Sequence, residues 1–199
     1  TVMKMLYHSL DLNFEHDDPR AEDARVLGDK MNQLDNIVER IVNFARNAEP
    51  QMAQVNVHEL LEDLALLTRH KLQHLHITLT QNLAEDLPKV TADATQLSQA
   101  FLNLILNAAE AMPDGGTLTI GSLVNNDKVA IAFSDTGPGM TEEQRERAFT
   151  GMLSTTKEKG AGLGLTIVAK VAEAHGGRVE VDACEGKGTT ITLQLPVTA

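Results

Sequence analysis

The sequence predicts an α+β protein, organised as a two-layer α/β sandwich that is preceded by an antiparallel α-helical hairpin. Three observations lead to this prediction. Apolar residues recur at three- and four-residue spacing through the first fifty positions, as they do on one face of a helix. After a break at residues 49–51, segments of helical and of alternating periodicity follow one another. The predicted strands are segregated from the long helices, which is typical of one sheet covered on one face by helices.

Composition limits the classes of function. Of the 199 residues, 42 % are hydrophobic, but only 3 % are aromatic and none is Trp. We therefore expect a core built from aliphatic side chains. The formal net charge is −11, which argues against a nucleic-acid partner because binding through counterion release requires a basic surface.

The expected location follows from cysteine content and hydropathy. Cys184 is the single cysteine, which excludes an internal disulfide and fits a reducing compartment. No apolar run reaches the roughly 18 residues of a membrane span, and there is no signal-peptide pattern. We therefore expect a cytoplasmic chain. A membrane anchor upstream of Thr1 is left open, because the sequence begins inside an apolar pattern.

Residues 1–50 are predicted to form the helical hairpin. Its first helix covers residues 1–14, and Asp18 and Pro19 suit the N-cap and first position of a second helix that reaches Asn47. The second helix carries an apolar seam of Leu27, Met31, Leu34, Ile37, Val38, Ile41, Phe44 and Ala45. Such a seam is usually buried against a second copy in a four-helix bundle, so we expect a homodimer through this hairpin. The alternative is a hairpin that packs only on its own domain.

The second predicted domain, residues 51–199, begins with a helix and a strand. Asn56 and Glu59 predict a capping box at the start of the helix. The predicted apolar face of this helix consists of Leu60, Leu61, Leu64 and Leu67. Ile77 and Leu79 alternate with polar residues, which indicates a strand.

The rest of this domain is predicted to alternate between helices and hairpin-connected strands. In chain order the predicted elements are a helix at 93–112, strands at 117–124 and 128–134 joined by a turn at 125–127, a short helix capped by Thr141 and Gln144, a helix that ends at Gly176 and Gly177, and strands around 179–181 and 191–195.

An amide stripe runs along one face of the predicted helix at 93–112. Its members fall within about 40° of one line at 100° per residue: Gln96, Gln99, Asn103, Asn107 and Glu110. The opposite side is apolar, with Leu97, Phe101, Leu104, Ile105 and Ala108. The stripe is either the solvated face or a binding face. Solvated faces favour Lys and Glu, whereas Asn103 and Asn107, one turn apart, offer neutral carbonyl oxygens that suit a hard cation such as Mg²⁺.

Residues 135–140 (DTGPGM) directly follow an alternating strand. They are either an ordinary turn or the wall of a pocket. In the second interpretation the strand end fixes Asp135, whose carboxylate can accept a hydrogen bond from an amino group such as that of adenine. Gly137 and Gly139 then let the backbone approach a flat ring closely.

Two glycine-rich segments come later in the chain. Residues 157–165 (KEKGAGLGL) lead into a helix, where exposed backbone N–H groups and the helix dipole favour an anion. This segment matches neither the Rossmann fingerprint nor the P-loop sequence. Residues 186–190 (GKGTT) by themselves most often form a hairpin turn.

In order and spacing, these four segments resemble the N box and the three glycine boxes of the histidine kinase catalytic domain. They read Asn-x-x-x-Asn-Ala, Asp-x-Gly-x-Gly, Gly-x-Gly-x-Gly and Gly-x-Gly-Thr. That domain has the Bergerat ATP-binding fold shared with DNA gyrase, the MutL mismatch-repair proteins and a heat-shock chaperone. The resemblance covers residues 55–196, and the hairpin resembles the second half of the dimerisation and phosphoacceptor domain. It implies a kinase that binds Mg-ATP and ADP, phosphorylates a histidine upstream of Thr1, and relays the phosphate to a response-regulator receiver domain.

The resemblance also implies roles for individual residues. Asn107 would coordinate Mg²⁺ with help from Asn103, and both would act in catalysis together with Lys157. Asp135 would hold the adenine amino group, and Thr189 would support the same side of the base. The other residues expected to contact the nucleotide lie in the turn after Asp135 or in the lid over the phosphates: Gly137, Gly139, Thr155, Thr156, Lys157, Gly160, Gly162, Leu163 and Gly164.

The sequence departs from the family pattern at three places. Glu110 stands where many kinases carry Lys, so Lys157 would have to supply the phosphate-binding cation. Residues 149–153 (FTGML) replace the common Phe-Glu-Pro-Phe-Phe of the lid. The His-Glu-x-x-Asn-Pro-Leu phosphoacceptor motif is absent, and residues 1–4 look like the sequence that directly follows it. We therefore expect this fragment not to autophosphorylate alone.

The remaining histidines receive structural interpretations. His8 lacks the acidic neighbour of the acceptor motif. His70, His74 and His76 suggest a metal site only weakly, because no further ligand clusters with them. His175, just before Gly176, is expected at a helix C-terminus, where it is favourable to the dipole.

Other functions fit the sequence less well. A gyrase- or chaperone-type ATPase switch is disfavoured because those relatives carry, where Asn103 stands, a glutamate that activates water. A serine-kinase anti-sigma factor shares the boxes but would not need the leading hairpin. The alternative that stays open is a nucleotide-binding interaction module without catalysis.

Overall fold

The structure is a computed structural model, and it describes residues 26–28, 30, 50–125, 127–148 and 163–197. Residues 26–28 and 30 are helical. The predicted hairpin otherwise lies outside the described residues, as do the predicted lid residues up to Gly162. None of the helices in the described part of the chain is long and apolar enough to span a membrane.

The described part of the chain contains seven strands in two sheets. A five-stranded sheet has the order β2-β4-β5-β7-β6, in which only β2 and β4 are parallel. Its strands are β2 (Ile77–Asn82), β4 (Gly116–Asn125), β5 (Lys128–Asp135), β6 (Arg178–Ala183) and β7 (Thr189–Pro196). A short antiparallel pair consists of β1 (Ala53–Val55) and β3 (Val90–Ala92).

Helices cover one face of the large sheet, so the predicted two-layer α/β sandwich is confirmed. The helices are α1 (Val57–His74), α2 (Ala94–Ala111), α3 (Glu142–Arg147) and α4 (Leu163–Ala174). The central helix α2 packs against α1 and α4 and lies on β4 and β5. Between the layers, the ring of Phe101 lies 5.5 Å from that of Phe133, centroid to centroid.

Strand register places Asp135 on the helix-covered face of the sheet. Cross-strand partners point to the same face, and the partners of Asp135 are Leu118 on β4 and Thr189 on β7. Leu118 is fully buried and Thr189 is nearly so. The carboxylate of Asp135 therefore leaves the last position of β5 toward the helical layer.

Asp93 is the N-cap of α2 and also holds the chain that enters the sandwich. Its Oδ1 accepts hydrogen bonds from the N–H groups of Thr95 and Gln96, and its Oδ2 accepts one from Gln51 N at 2.8 Å. Burial by itself raises the pKa of the Asp93 carboxyl, but the three backbone donors stabilise the carboxylate, and the net pKa is lowered from 3.8.

Replacing Asp93 by Asn is expected to reduce stability in a pH-dependent way. Asn also caps helices, but its amide nitrogen cannot accept from Gln51, so the free energy of unfolding at neutral pH should fall by about 1–3 kcal/mol. Because the folded pKa of Asp93 is depressed, the wild-type advantage is present above pH 3.8 and is lost as pH falls through the folded pKa. Urea unfolding at neutral pH and at about pH 3 measures both effects. The exposed carboxylate of Asp127 provides the control, Asp127→Asn, and an Asp93 difference that is equal at both pH values would contradict the prediction.

Helix α4 ends in a Schellman motif and is tied to the start of α2. Gly177 N bonds Ala172 O, Gly176 N bonds Glu173 O, and Gly176 has a φ of 65°. The buried His175 ring hydrogen-bonds Val171 O through Nδ1, and its Nε2 accepts from Asp93 N at 2.9 Å. The C-terminal end of α4 therefore meets the N-terminal end of α2, and the two helices run antiparallel.

The described elements differ from the sequence-based expectation in three details. Strands β1 and β3, of three residues each, were not predicted. The predicted capping box at Asn56 is wrong. Asn56 Oδ1 accepts a hydrogen bond from His58 N, but Glu59 Oε1 accepts one from Asn56 Nδ2 and not from the Asn56 backbone N–H. Leu67, predicted on the apolar face of α1, is 69 % exposed. The capping box between Thr141 and Gln144 is confirmed.

Candidate functional site

The turn after β5 fixes the carboxylate of Asp135. Gly137 N donates a hydrogen bond to Asp135 Oδ1 at 2.9 Å. A Cβ added to Gly137 would lie 2.9 Å from this Oδ1 and 3.2 Å from Ala111 O. The turn thus lies against the last turn of α2, and a side chain at position 137 would crowd both the Asp135 carboxylate and the helix end.

The Asp135 turn and the loop between β6 and β7 approach each other backbone to backbone. Gly139, with a φ of 71°, would direct a Cβ onto Cys184 O, and Gly188, with a φ of 88°, would direct one onto Asp135 O. Gly186 N donates to Pro138 O at 2.7 Å. The loop at 184–188 is therefore the hairpin turn between β6 and β7, and it also forms one side of the Asp135 turn.

Thr136 links the same turn to β4 and to the end of α2. Its Oγ1 accepts a hydrogen bond from Thr117 N at 3.0 Å and donates to Met112 Sδ at 3.5 Å. Met112 is the C-cap of α2 and Thr117 belongs to β4. The turn is held by the helix and the sheet together, which gives Asp135 a fixed frame.

Asn107 meets the start of α4. A Cβ on Gly164 would lie 2.9 Å from Asn107 Nδ2 and 3.0 Å from Asn107 Oδ1, so the first turn of α4 packs directly on this amide. The antiparallel pairing of α2 and α4, set at the other end by His175 and Asp93, produces this contact. Asn107 and Gly164, which the sequence singled out in two motifs 57 residues apart, are brought together here.

Asn103 lies one turn before Asn107 and is only 3 % exposed. Among the residues that the structure describes, its Nδ2 has no hydrogen-bond partner. A buried amide without a partner costs free energy, and the two ends of an amide can exchange places by rotation. The stripe is therefore not a solvated helix face at Asn103.

The other predicted site residues divide between the described part and the rest. Thr189 is buried on the face that Asp135 shares. Leu163 opens α4, although the position of its side chain is not described. Thr155, Thr156, Lys157, Gly160 and Gly162 lie outside the described residues. The described residues, His70, His74 and His76 among them, hold no group of three or more His, Cys, Asp or Glu side chains that could bind a metal ion.

Comparison with known families identifies the family of this chain. The model of the histidine kinase-, DNA gyrase B-, and HSP90-like ATPase family matches residues 92–199, more than half of the chain. The chain belongs to this ATPase family. The match includes α2, the Asp135 turn, α4 and the β6–β7 turn, which are the elements that build the site.

The relatives of this ATPase domain include sensor histidine kinases. The sensor histidine kinase ZraS of Salmonella typhi is 34 % identical over 177 residues, which cover 88 % of this chain and 38 % of ZraS. Sporulation kinase E of Bacillus subtilis is 33 % identical over 174 residues, which cover 86 % of this chain and 23 % of that kinase. The chain thus spans well under half the length of both of these relatives.

Solved histidine kinase structures have the same fold as this ATPase domain. The nucleotide-free catalytic domain of histidine kinase ThkA superposes with a TM-score of 0.68 at 32 % identity, covering 74 % of this chain and 97 % of that one. Full-length ShkA in complex with AMPPNP superposes with a TM-score of 0.76 at 27 % identity, covering 92 % of this chain and 40 % of ShkA.

Sequence reasoning missed the contacts that hold this candidate site together. Gly139 and Gly188 belong to motifs that the sequence shows. Their close partners, Cys184 O and Asp135 O, are backbone atoms with no sequence signature. His175 was expected at a helix end, which is confirmed, but its hydrogen bond from Asp93 N joins positions 82 residues apart. The run of small residues at these turns was the available signal, since glycine marks places where backbones approach closely.

Proposed function

We propose that the chain binds Mg-ATP and transfers the γ-phosphoryl group to a histidine outside these 199 residues, for relay to an aspartate of a response-regulator receiver domain. The contact between Asn107 and Gly164 is the main support, because it places a neutral amide at the N-terminal end of a twelve-residue helix. Backbone N–H groups at such an end bind phosphate, and the amide beside them suits a divalent cation. The family and the named relatives support the same assignment.

In this proposal Asp135 recognises adenine. The Gly137 N–H holds Oδ1 in place, so the carboxylate is oriented before the base arrives. Adenine presents an amino group that donates to a carboxylate, whereas guanine presents a carbonyl oxygen at the same position and would be repelled. Gly137 and Gly139 keep the wall free of side chains, and Thr189 flanks Asp135 on the same face of the sheet. These residues bind and orient the nucleotide and take no part in bond making.

The phosphate side of the site would be formed by α2 and α4. Asn107, with Asn103 behind it, offers amide oxygens for Mg²⁺, and the first turn of α4 offers N–H groups to the phosphates. Bound Mg²⁺ would neutralise charge on the phosphate oxygens. A neutral imidazole is already nucleophilic, so the chain would act by positioning and by electrostatic stabilisation, with Lys157 and the lid glycines as further predicted contributors.

Replacing Asp135 by Asn is the direct test of adenine recognition. The loss of one charge-assisted hydrogen bond should weaken ATP and ADP binding by about 1.5–3 kcal/mol, roughly 10- to 150-fold in Kd. Isothermal titration calorimetry with Mg-ATP and Mg-GTP on the whole chain measures both affinity and selectivity. Asp127→Asn removes an exposed carboxylate from the β4–β5 turn and should leave ATP binding unchanged. Equal affinity of the wild type for GTP and ATP would count against an adenine-reading carboxylate.

A further inference from the structure

A buried histidine joins the end of α4 to the start of α2. His175 is 5 % exposed and makes a polar contact through each ring nitrogen. Nδ1 lies 2.6 Å from Val171 O, one turn earlier in α4, and Nε2 lies 2.9 Å from Asp93 N. Because a carbonyl oxygen only accepts and a backbone N–H only donates, these partners assign the proton to Nδ1 and leave Nε2 as the acceptor. The two contacts therefore select one tautomer and one orientation of the ring.

The hydrogen bond from Asp93 N specifies where α4 lies along α2. Asp93 is 8 % exposed, and a buried backbone N–H that loses its partner is costly. Without the ring nitrogen, the two helix ends would have to move until water or another acceptor reached this N–H. The buried side chains of α4 next to the contact are aliphatic: Ile167, Val168, Val171 and Ala172. Apolar burial has no direction, whereas a hydrogen bond does, so the His175 contact defines the position.

The opposite end of α4 lies at the phosphate side of the proposed nucleotide site. Gly164, which packs on the Asn107 amide, is eleven residues before His175, or about 16 Å along the helix. A helix transmits a displacement along its axis, so a shift at His175 also moves the first turn of α4 relative to Asn107. The Asp135 turn is fixed by other contacts, to the end of α2, to β4 and to the β6–β7 loop.

We propose that His175 is a positioning residue that sets the affinity of the site for the phosphates and leaves adenine recognition unaffected. It acts through α4 and contacts neither the nucleotide nor the metal ion. The inference rests on the proposed function, since that function assigns the phosphates to the first turn of α4. It adds a determinant of phosphate affinity that lies at the far end of this helix.

Two substitutions of His175 separate the hydrogen bonds of the ring. In His175→Asn the side-chain amide lies close to the former position of Nδ1 and can donate to Val171 O, but it is too short to reach Asp93 N. In His175→Gln the carbonyl oxygen lies close to the former position of Nε2 and can accept from Asp93 N. Both variants lose the ring and its packing, so a difference between them reports on the contact with Asp93.

Mg-ATP and adenosine distinguish the two sides of the site. Calorimetry with Mg-ATP and NMR titration with adenosine are carried out on the whole chain. His175→Asn should weaken Mg-ATP binding about five- to thirtyfold, as do substitutions that act on a site from a distance, and change adenosine affinity less than about twofold. His175→Gln should stay within about twofold of the wild type for both ligands. Glu173→Gln, at an exposed position in the same turn, is the control and should alter neither.

The backbone amide of Gly164 reports on the position of α4 without any nucleotide. Its ¹H–¹⁵N resonance should move in His175→Asn and stay close to the wild-type position in His175→Gln, because Gly164 lies against the Asn107 amide. An unmoved resonance in His175→Asn, equal losses of Mg-ATP and adenosine affinity, or equal effects of the two substitutions would overturn the proposal. A wild-type chain that does not bind Mg-ATP would overturn the proposed function, while the Gly164 resonance would still show whether His175 positions α4.

Discussion

Replacing Asn107 by Ala is expected to reduce the rate of phosphoryl transfer to the acceptor histidine by at least about a hundredfold. Removing one preorganised group that stabilises a transition state has an effect of this size. The amide packs on Gly164 at the start of α4, where we propose that the metal ion and the phosphates are held. The measurement is labelling of the histidine with radioactive ATP in a longer protein that includes this chain. Asn82→Ala removes an exposed amide at the end of β2 and should label at the wild-type rate.

Asn107→Asp distinguishes a role of Asn107 in phosphoryl transfer from its role in packing against Gly164. The two side chains have nearly the same shape, so the fit against Gly164 is kept, but Asp places a negative charge beside the proposed phosphate site. We expect this variant to fold like the wild type and to lose transfer as Asn107→Ala does. Wild-type labelling by either variant would show that Asn107 has no role with the metal. A longer protein that binds ATP and never labels a histidine would support the non-catalytic module instead.

Replacing Gly188 by Ala is expected to damage both the fold and the nucleotide site. Gly188 has a φ of 88°, and a Cβ there would collide with Asp135 O. The left-handed conformation alone costs a non-glycine residue about 1–2 kcal/mol. The collision adds to this, because the oxygen belongs to the backbone of the β5 end and can move only by shifting the Asp135 turn. We expect a total loss above about 3 kcal/mol in the free energy of unfolding and weaker ATP binding.

Gly186→Ala is the matched control for Gly188→Ala. Gly186 lies two residues earlier in the same turn with a φ of 77°, but a Cβ there would have nothing within 4 Å. This variant should therefore show only the conformational cost of about 1–2 kcal/mol and bind ATP nearly as well as the wild type. Urea unfolding and calorimetry on both variants give the comparison. Equal losses in the two variants would mean that the approach of Gly188 to Asp135 does not shape the site.

Much of the fold could be predicted because its signals are local. The period of apolar residues in α2 and the alternation in β4 and β5 report which face of each element is buried, and burial drives their formation. Caps such as Asp93 and Thr141 are recognised by residue type because they satisfy the first N–H groups of a helix. Strands β1 and β3 were missed because three residues are too few to show a period.

The exposure of Leu67 could not be predicted from the sequence. Leu67 continues the three- and four-residue apolar spacing of α1 at the edge of its stripe, yet Leu64 is buried and Leu67 is 69 % exposed. Periodicity gives the direction of a side chain around the helix axis but not how wide the covered stripe is. That width depends on the neighbouring elements, here α2 and β2, which contact α1 from one side.

The sequence by itself determined the class of fold, the four motifs and the residue types available to a nucleotide site. Only the tertiary structure decided which of these residues meet: Asn107 with Gly164, and Asp135 with Gly137 and Gly188. It also decided that Asn103 is buried rather than on a solvated face. The physical reason is that local propensities depend on neighbours along the chain, whereas these contacts depend on helix pairing and strand register. Those are set by burial of side chains and by hydrogen bonds between positions as far apart as Asp93 and His175.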